Sequence, residues 1–242
     1  MRATVICCYN NEEQYQTFCR SLEEQDEKVM LIGMDNRGMR YRSCAEALNA
    51  GIKKADTKFV IFAHQDILFT QKTNIRRFMD CLEKIEPGDI LGVAGARKER
   101  TGVYTNVFVD SNDTYAGEYR VQEMMECQTI DECFFGGYLS NFIQEPFDEV
   151  LCDNWHFYAV DRALNALKNK SRVYVCDLAI IHASKGNINQ AYHWGFLRLC
   201  KKYANYCDFI RTTIVCSKTN FFARWATFLK HEAGMVIKRK KA

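Results

Sequence analysis

A histidine and an aspartate two residues apart end one apolar run of the sequence, and together they could bind a metal ion. The run is KFVIFAHQD, in which five apolar residues precede His64, Gln65 and Asp66. An unbroken apolar run of this length is typical of a strand buried on both faces of a parallel sheet. Ligands of open α/β sheets gather at the carboxyl ends of the strands. His64 and Asp66 are therefore candidate metal ligands; the alternative is a strand cap followed by a turn.

The two apolar runs upstream of this one also end in polar side chains. Tyr9 and Asn10 follow the first run, and Asp35 and Asn36 follow the second. Because the carboxyl ends of parallel strands meet at one edge of a sheet, these ends are expected to share a pocket. Three separate strand ends with hydrogen-bonding or acidic side chains favour a ligand site over ordinary strand caps.

Strands and helices alternate through the first third of the chain. Residues 3–8, 29–34 and 58–63 are apolar runs of strand length, and residues 11–24 and 43–55 have helical periodicity. This order builds a mostly parallel sheet flanked by helices, so the predicted class is α/β. Gly136 and Gly137 are predicted to form a turn. Further elements are a helix over residues 74–85 and strands over residues 89–94, 121–127, 129–135 and 173–181.

Composition sets broad limits on what the protein does. With 242 residues, 48% of them hydrophobic, the chain can bury a sizeable core. Its net charge of +3 is too small to indicate a nucleic-acid partner. The twelve cysteines include no C-x-x-C pair, which indicates reduced thiols. The opening apolar run is too short for a secretory signal, and no run is long enough to span a bilayer, so we expect a cytoplasmic protein.

The phosphate-binding motifs that depend on glycine are missing. There is no G-x-G-x-x-G after the first strand, no G-x-x-x-x-G-K-[ST], and no G-x-S-x-G. A nucleotide site in this chain would therefore use side chains at the strand ends, and it would hold the phosphates through a metal ion.

The order of these features resembles the family-two glycosyltransferases, which have the GT-A fold. The resemblance runs over roughly residues 4–182 and rests on VICCYNNEE, LIGMDN, the SCAEALNAGIKKA helix, KFVIFAHQD and the WHFYAVD helix start. It implies transfer of a sugar, such as a hexose, from a nucleotide-diphosphate donor. Variants with HQD are similar to bacterial transferases for capsule or other surface glycans.

The resemblance also implies roles for the strand ends. Tyr9, Asn10 and Asp35 would line the nucleotide pocket together with Asn36, and Cys8 lies where a small hydroxyl residue is more usual. The acidic D-x-D motif of the family falls on the HQD sequence, of which only the aspartate matches.

The metal site implied by the resemblance has Asp66 as its main ligand. His64 would be a second ligand, and His182, at the end of the strand over residues 173–181, would complete the metal or diphosphate site. A divalent cation there, Mn²⁺ or Mg²⁺, would neutralise the departing diphosphate. An imidazole beside Asp66 favours Mn²⁺. For His182 the alternative is a strand-end histidine hydrogen-bonded in a loop.

An inverting transfer also needs a base that deprotonates the acceptor hydroxyl. The family places this base near the start of the WHFYAVD helix, where one register puts Ala159 at its position. A shift of two residues puts Asp161 there, which makes it the first choice, followed by His156 and then Asp153. The alternative for Asp161 is a purely structural role in the first turn of the helix.

The C-terminal part of the chain is expected to be a helical extension. Residues 1–186 would form the GT-A-like domain, with a nucleotide-binding half over 1–95 and an acceptor half over 96–186, and residues 187–242 the extension. Its last helix is amphipathic and ends in a basic tail. Such a helix can lie on an anionic membrane, and the alternative is a helix packed on the main domain.

The sequence thus predicts a metal-dependent glycosyltransferase that binds a nucleotide-sugar donor and a glycan or lipid-linked acceptor. A non-catalytic nucleotide-sugar-binding or assembly protein on the same fold is the main alternative, since Ala159 and the incomplete D-x-D motif fit it. A nucleotidyltransferase is the second, although such enzymes usually have a glycine-rich loop after the first strand.

Overall fold

A computed structural model describes residues 1–109, 114–183 and 188–239, the side chains of 236–239 excepted. The helices in these ranges are α1 (Glu12–Glu23), α2 (Cys44–Ile52), α3 (Asn74–Leu82), α4 (Leu139–Gln144), α5 (Tyr158–Lys168), α6 (Gln190–Lys202) and α7 (Phe221–Arg239). The strands are β1 (Ala3–Tyr9), β2 (Met30–Asp35), β3 (Phe59–His64), β4 (Ile67–Phe69), β5 (Ile90–Gly92), β6 (Ala94–Ala96), β7 (Val103–Thr105), β8 (Met125–Glu126), β9 (Thr129–Ile130), β10 (Phe134–Tyr138), β11 (Val173–Val175), β12 (Ile180–His182), β13 (Phe209–Arg211) and β14 (Cys216–Lys218).

Seven strands form the central sheet, in the order β2-β1-β3-β10-β5-β11-β8. β1 pairs in parallel with β2 and with β3, and β11 pairs in parallel with β5. Strands β10 and β8 run in the opposite direction to the other five. The sheet is therefore mostly parallel, and the predicted α/β class is confirmed.

β3 contributes side chains to both faces of this sheet. Val60 and Phe62 pack in a core shared with α2, α5 and α6, whereas Phe59 and Ile61 pack in a core shared with α1 and α3. All four side chains are at most 1% exposed. Because successive side chains of a strand point to opposite faces, burial of both faces requires the unbroken apolar run seen in the sequence.

The prediction of a turn at Gly136 and Gly137 is wrong, because both residues lie inside β10. β10 is inserted between β3 and β5, and Gly136 is opposite Ile61. A Cβ atom on Gly136 would lie 2.3 Å from the carbonyl oxygen of Val60. Glycine is needed here because a neighbouring backbone approaches closely.

Helix α6 is joined to α5 by an ion pair. The Lys202 Nζ lies 2.7 Å from the Asp161 Oδ1, and the Tyr203 hydroxyl donates to the same oxygen at 2.8 Å. Asp161 is only 6% exposed. Burial raises the pKa of its carboxyl even though the Lys202 ammonium acts in the opposite direction.

The C-terminal helices pack on the rest of the chain and on each other. Phe196 and Leu199 of α6 belong to the same core as α2 and α5. The Trp194 ring on α6 packs against Phe228 of α7, with ring centroids 4.4 Å apart. The predicted domain boundary at residues 186 and 187 lies outside the described residues. No helix in the described part of the chain is both long and apolar enough to cross a membrane.

Gly136→Ala is expected to lower the free energy of unfolding by about 2 kcal/mol, because the added Cβ would overlap the Val60 carbonyl and force β3 and β10 apart. Chemical denaturation measures this change. The control is Gly38→Ala, whose Cβ would meet no atom within 4 Å, so its effect should stay within about 0.5 kcal/mol. Equal stability of the two variants would contradict the close packing of these strands.

Lys202→Met is expected to destabilise the protein by about 2 kcal/mol, because it leaves the Asp161 carboxylate buried without its cation. The effect should appear as a lower midpoint in urea. Lys201→Met, at an exposed position of the same helix, is the control. The ion pair does not hold α5 to α6 if both variants unfold at the same urea concentration.

Candidate active site

The ends of β1, β2 and β3 lie side by side because β1 is paired with both of the other strands. Tyr9 is in register with Asp35, and Cys8 is in register with His64. The Asn36 N–H donates to the Tyr9 carbonyl at 2.8 Å. The structure thus brings the three polar strand ends to one place.

Gln65 ties the loop after β1 to the loop after β3. Its Oε1 accepts from the backbone N–H groups of Asn10 and Asn11 at 2.9 and 3.0 Å. Its Nε2 donates to the Asn10 Oδ1 at 2.9 Å. The middle residue of the HQD sequence therefore fixes the two loops, and the residues on either side of it line the cavity described next.

A cavity of about 390 Å³ opens at this edge of the sheet. Burial raises the pKa of the Cys8 thiol, which lines the cavity, to about 12. Eight of the eleven residues predicted for the site line the cavity: Cys8, Tyr9, Asn10, Asn36, His64, Asp66, His156 and His182. Asp35, Asp153 and Asp161 are the three that do not.

Asp35 lies beside the cavity and forms an ion pair with Arg37. The Arg37 Nη2 is 2.6 Å from the Asp35 Oδ2, and the Arg37 backbone N–H donates to the Oδ1 at 3.0 Å. These hydrogen bonds lower the pKa of the Asp35 carboxyl to about 2. The neighbouring Tyr9 ring is stacked on Tyr15, with centroids 3.8 Å apart.

His64, Asp66 and His182 bring three potential ligand atoms together. The His182 Nε2 lies 3.2 Å from the His64 Nδ1 and 3.4 Å from the Asp66 Oδ1. Ligands at right angles around an ion, with bonds of about 2.1 Å, are about 3 Å apart, so this spacing fits one divalent cation. β12 brings His182 here because it pairs antiparallel with β4, immediately after the HQD sequence.

Two members of this group, His64 and Asp66, have protonation states that suit cation binding. Burial lowers the pKa of the His64 imidazole, and the nearby His182 lowers it further, so His64 is neutral near pH 7. Burial would raise the pKa of the Asp66 carboxyl, but the hydrogen bond and the charge of His182 outweigh it. A cation requires a neutral imidazole and an ionised carboxylate. Burial would lower the pKa of the His182 imidazole, but the hydrogen bond and the charge of Asp66 raise it, so a cation would compete with a proton there.

Asp131, Cys133 and His182 form a second group of potential ligands, and the ligand atoms of this group also lie within 4.8 Å of one another. The Asp131 oxygens already accept from the Cys133 N–H at 3.0 Å and from the Thr213 hydroxyl at 2.9 Å. Burial raises the pKa of the Cys133 thiol well above its usual value, which leaves it protonated. The side chains of this second group are therefore less available to a cation than those of His64, Asp66 and His182.

Two of the three predicted bases, Asp161 and Asp153, lie outside the cavity. The Asp161 carboxylate is held by Lys202 and Tyr203 on the face of α5 that packs against α6, so it does not reach the cavity. Asp153 is paired with Arg198, at 2.7 Å, and does not line the cavity either. Of the three predicted bases only His156 does, and its ring packs against Tyr192.

Two further carboxylates also line the cavity. Asp131 and Glu132 lie just before β10. Because β10 runs antiparallel to β3, its beginning lies at the edge where β3 ends. The signal in the sequence is an acidic pair in front of an apolar run, and it becomes informative once the direction of that strand is known.

Glu132 is anchored at the start of α5. Its Oε1 accepts from the backbone N–H of Phe157, the residue before the first helical turn. Phe157 has a φ of 70° and makes no side-chain cap of its own. Burial raises the pKa of the Glu132 carboxyl to about 8. Next along the chain, the Tyr158 hydroxyl lies 2.9 Å from the His64 Nε2.

Known structures share this fold at low sequence identity. TarS of S. aureus (residues 1–349) in complex with UDP-GlcNAc has a TM-score of 0.59 and 14% identity, covering 85% of this chain and 67% of that one. The mannosyltransferase PcManGT from Pyrobaculum calidifontis, with GDP-Man and Mn²⁺, has a TM-score of 0.55 and 12% identity, covering 84% and 63%. GalNAc-T7 with UDP, GalNAc and Mn²⁺ has a TM-score of 0.55 and 8% identity, covering 82% and 47%. The chain thus spans about two thirds or less of the length of these proteins, and the fold it shares with them is GT-A.

The sequence itself matches one family. No curated protein matches it at a significant level. The model of a family described as "Glycosyltransferase like family" matches residues 4–207, which is most of the sequence. The chain therefore belongs to this glycosyltransferase-like family.

Proposed function

We propose that the protein is a metal-dependent glycosyltransferase that takes a sugar, such as a hexose, from a nucleotide-diphosphate donor. The observation that carries this proposal is the group of His64, Asp66 and His182 in a cavity lined by the polar ends of β1 and β2. Proteins with the same fold were solved with UDP-GlcNAc, or with GDP-Man and Mn²⁺. The donor proposed here has the same chemistry.

The nucleotide is proposed to bind at the ends of β1 and β2. Cys8, Tyr9, Asn10 and Asn36 line this part of the cavity, and Asp35 lies next to Tyr9. Their amide, hydroxyl and backbone groups can hydrogen-bond a base and a ribose. The sequence has no glycine-rich phosphate loop, so the diphosphate needs another source of positive charge.

That charge is proposed to come from a cation held by His64, Asp66 and His182. When bound, a divalent cation would neutralise the charge that develops on the leaving diphosphate. Two imidazoles beside one carboxylate favour Mn²⁺ over Mg²⁺, which prefers oxygen ligands and keeps its water.

Asp66→Asn is expected to reduce the Mn²⁺-dependent release of nucleoside diphosphate by about 100-fold or more, because the cation contributes several kcal/mol to the transition state. Release of UDP or GDP from a panel of UDP- and GDP-linked hexoses measures it. The control is Asp208→Asn, the same change at an exposed ion pair with Lys98. Equal activity of the two variants across the Mn²⁺ titration would contradict the metal site.

One observation supports a second candidate, a nucleotide-sugar-binding or assembly protein without catalytic activity. Helix α5 has the fully buried Ala159 near its start, and its Asp161 faces α6. Such a protein would gain thermal stability from nucleotide-sugars and Mn²⁺ without releasing UDP or GDP. A thermal-shift panel run beside the release assay separates the two candidates.

The acceptor is proposed to be a glycan or a lipid-linked sugar of a surface polysaccharide, with transfer by inversion on the cytoplasmic side of a membrane. The location at a membrane is supported by an apolar surface on α6 and α7, here called the aromatic surface. It consists of Trp194, Phe221, Phe222, Trp225 and Leu229. Phe222 and Leu229 are 81% and 61% exposed. The rings of Trp194 and Trp225 are 5.9 Å apart, so the two helices α6 and α7 form one surface.

The C-terminal segment that contains α7 is positively charged, whereas the rest of the chain is negatively charged. Residues 217–242 contain seven basic residues and one acidic residue, Glu232, a net charge of +6. The whole chain has +3, so residues 1–216 carry −3. Exposed aromatic side chains on a basic helix are typical of binding to anionic membranes. Part of this charge comes from Lys240 and Lys241, which lie outside the described residues.

Phe222→Asp is expected to weaken binding to phosphatidylglycerol-containing vesicles by about tenfold or more, because a phenyl ring that enters the interface is lost and a negative charge is added. Co-sedimentation at low salt measures this, with phosphatidylcholine vesicles as the neutral comparison. Val150→Asp makes a similar change at a residue 85% exposed outside the aromatic surface, and it should bind more tightly than Phe222→Asp. A wild-type protein that stays in the supernatant with anionic vesicles would rule out the membrane proposal.

A further inference from the structure

The proposed transfer needs a proton acceptor that helix α5 does not supply. The acceptor hydroxyl must lose a proton as its oxygen attacks the sugar. Ala159 has no ionisable group, and Asp161 is held by Lys202 and Tyr203 outside the cavity. A base must therefore come from another element that lines the cavity.

Three carboxylates among the described residues line the cavity, and two of them are already engaged. Asp66 is paired with His182. Asp131 accepts from the Cys133 N–H and the Thr213 hydroxyl, one bond to each oxygen. Glu132 is different, because only its Oε1 is bonded, to the Phe157 N–H. Among the described residues its Oε2 has no hydrogen-bond partner.

The anchoring of Glu132 gives its carboxylate a defined position. The N–H that it accepts belongs to the residue before α5, so the carboxylate lies at the positive end of that helix. The hydrogen bond to the Oε1 also fixes the orientation of the carboxylate, and the Oε2 keeps its lone pairs for a ligand. The residue is half-buried, and burial raises the pKa of its carboxyl to about 8, so the ionised form that can take a proton increases as the pH rises through that value.

Two contacts made by residues close to Glu132 in the structure connect this part of the cavity to the proposed metal group. On one side, the carbonyl of Cys133, the next residue, accepts from the His64 N–H at 2.9 Å. On the other side, Phe157 donates its N–H to Glu132, and the next residue is Tyr158. The Tyr158 hydroxyl lies 2.9 Å from the His64 Nε2. A sugar whose diphosphate is bound near His64 would thus have Glu132 beside it.

We propose that Glu132 is the general base of this transferase. The inference rests on the proposed function and names the residue that activates the acceptor. The Glu132 carboxylate takes the proton of the acceptor hydroxyl while that oxygen forms a bond to the anomeric carbon of the donor. The bond from this carbon to the diphosphate breaks, and its electron pair leaves on the diphosphate oxygen. Glu132 then returns its proton to solvent.

Glu132→Gln tests this role, because an amide oxygen can still accept from the Phe157 N–H but cannot take a proton. The expected result is a 10²- to 10⁴-fold loss of kcat for Mn²⁺-dependent release of UDP or GDP, with donor KM and thermal stability close to wild type. Glu126→Gln makes the same change at an exposed position of β8 and should keep the wild-type kcat. A structural role alone would leave the kcat of Glu132→Gln intact.

Chemical rescue gives a second readout. Glu132→Ala should be as inactive as Glu132→Gln, and added formate should restore part of its activity, because a small carboxylate can occupy the vacated position. Formate should not restore Asp66→Asn, which lacks a metal ligand. If wild-type protein releases nucleoside diphosphate and Glu132→Gln does so at a similar rate, the base is not Glu132 and the transferase proposal stands. If wild type binds these donors but releases none, the transferase proposal itself fails and the base assignment fails with it.

Discussion

The pairing of β1 with β2 on one side and β3 on the other is the constraint on which the site depends. The register places Tyr9 beside Asp35 and Cys8 beside His64 without any contribution from the ligand. Gln65 then joins the two loops through three hydrogen bonds. Since buried strands cannot slip without turning their apolar side chains to the other face, the core fixes the geometry of the polar edge.

Inserting β10 antiparallel between β3 and β5 gives the cavity its second wall. A purely parallel sheet would bring only strand ends to this edge, whereas β10 brings a strand beginning, with Asp131 and Glu132. The cavity therefore has imidazoles and one carboxylate on the β3 side and two carboxylates on the β10 side. Opposed groups of this kind can hold a cation in one place and accept a proton in another.

The sequence predicted the parts of the site that depend on local pattern. The apolar runs that end at Tyr9, Asn36 and Asp66 could be identified directly, because a buried strand and the polar residues at its end are consecutive in the sequence. The position of Asp161 outside the cavity was not readable, because it depends on contacts with Lys202 and Tyr203, about forty residues away. The direction of β10 likewise depends on pairing partners distant in sequence, so neither the role of Gly136 nor the position of Asp131 was readable.

Burial of the Cys8 thiol bears on which ions and reagents the cavity admits. The thiol is next to His64 in the sheet, and its raised pKa keeps it protonated at neutral pH. A thiolate at this position would attract soft ions such as Cu⁺ and would be open to alkylation and oxidation. The burial that positions the strand therefore also favours the neutral Cys8 thiol over a thiolate, and it leaves oxygen and nitrogen atoms as the preferred ligands in the cavity.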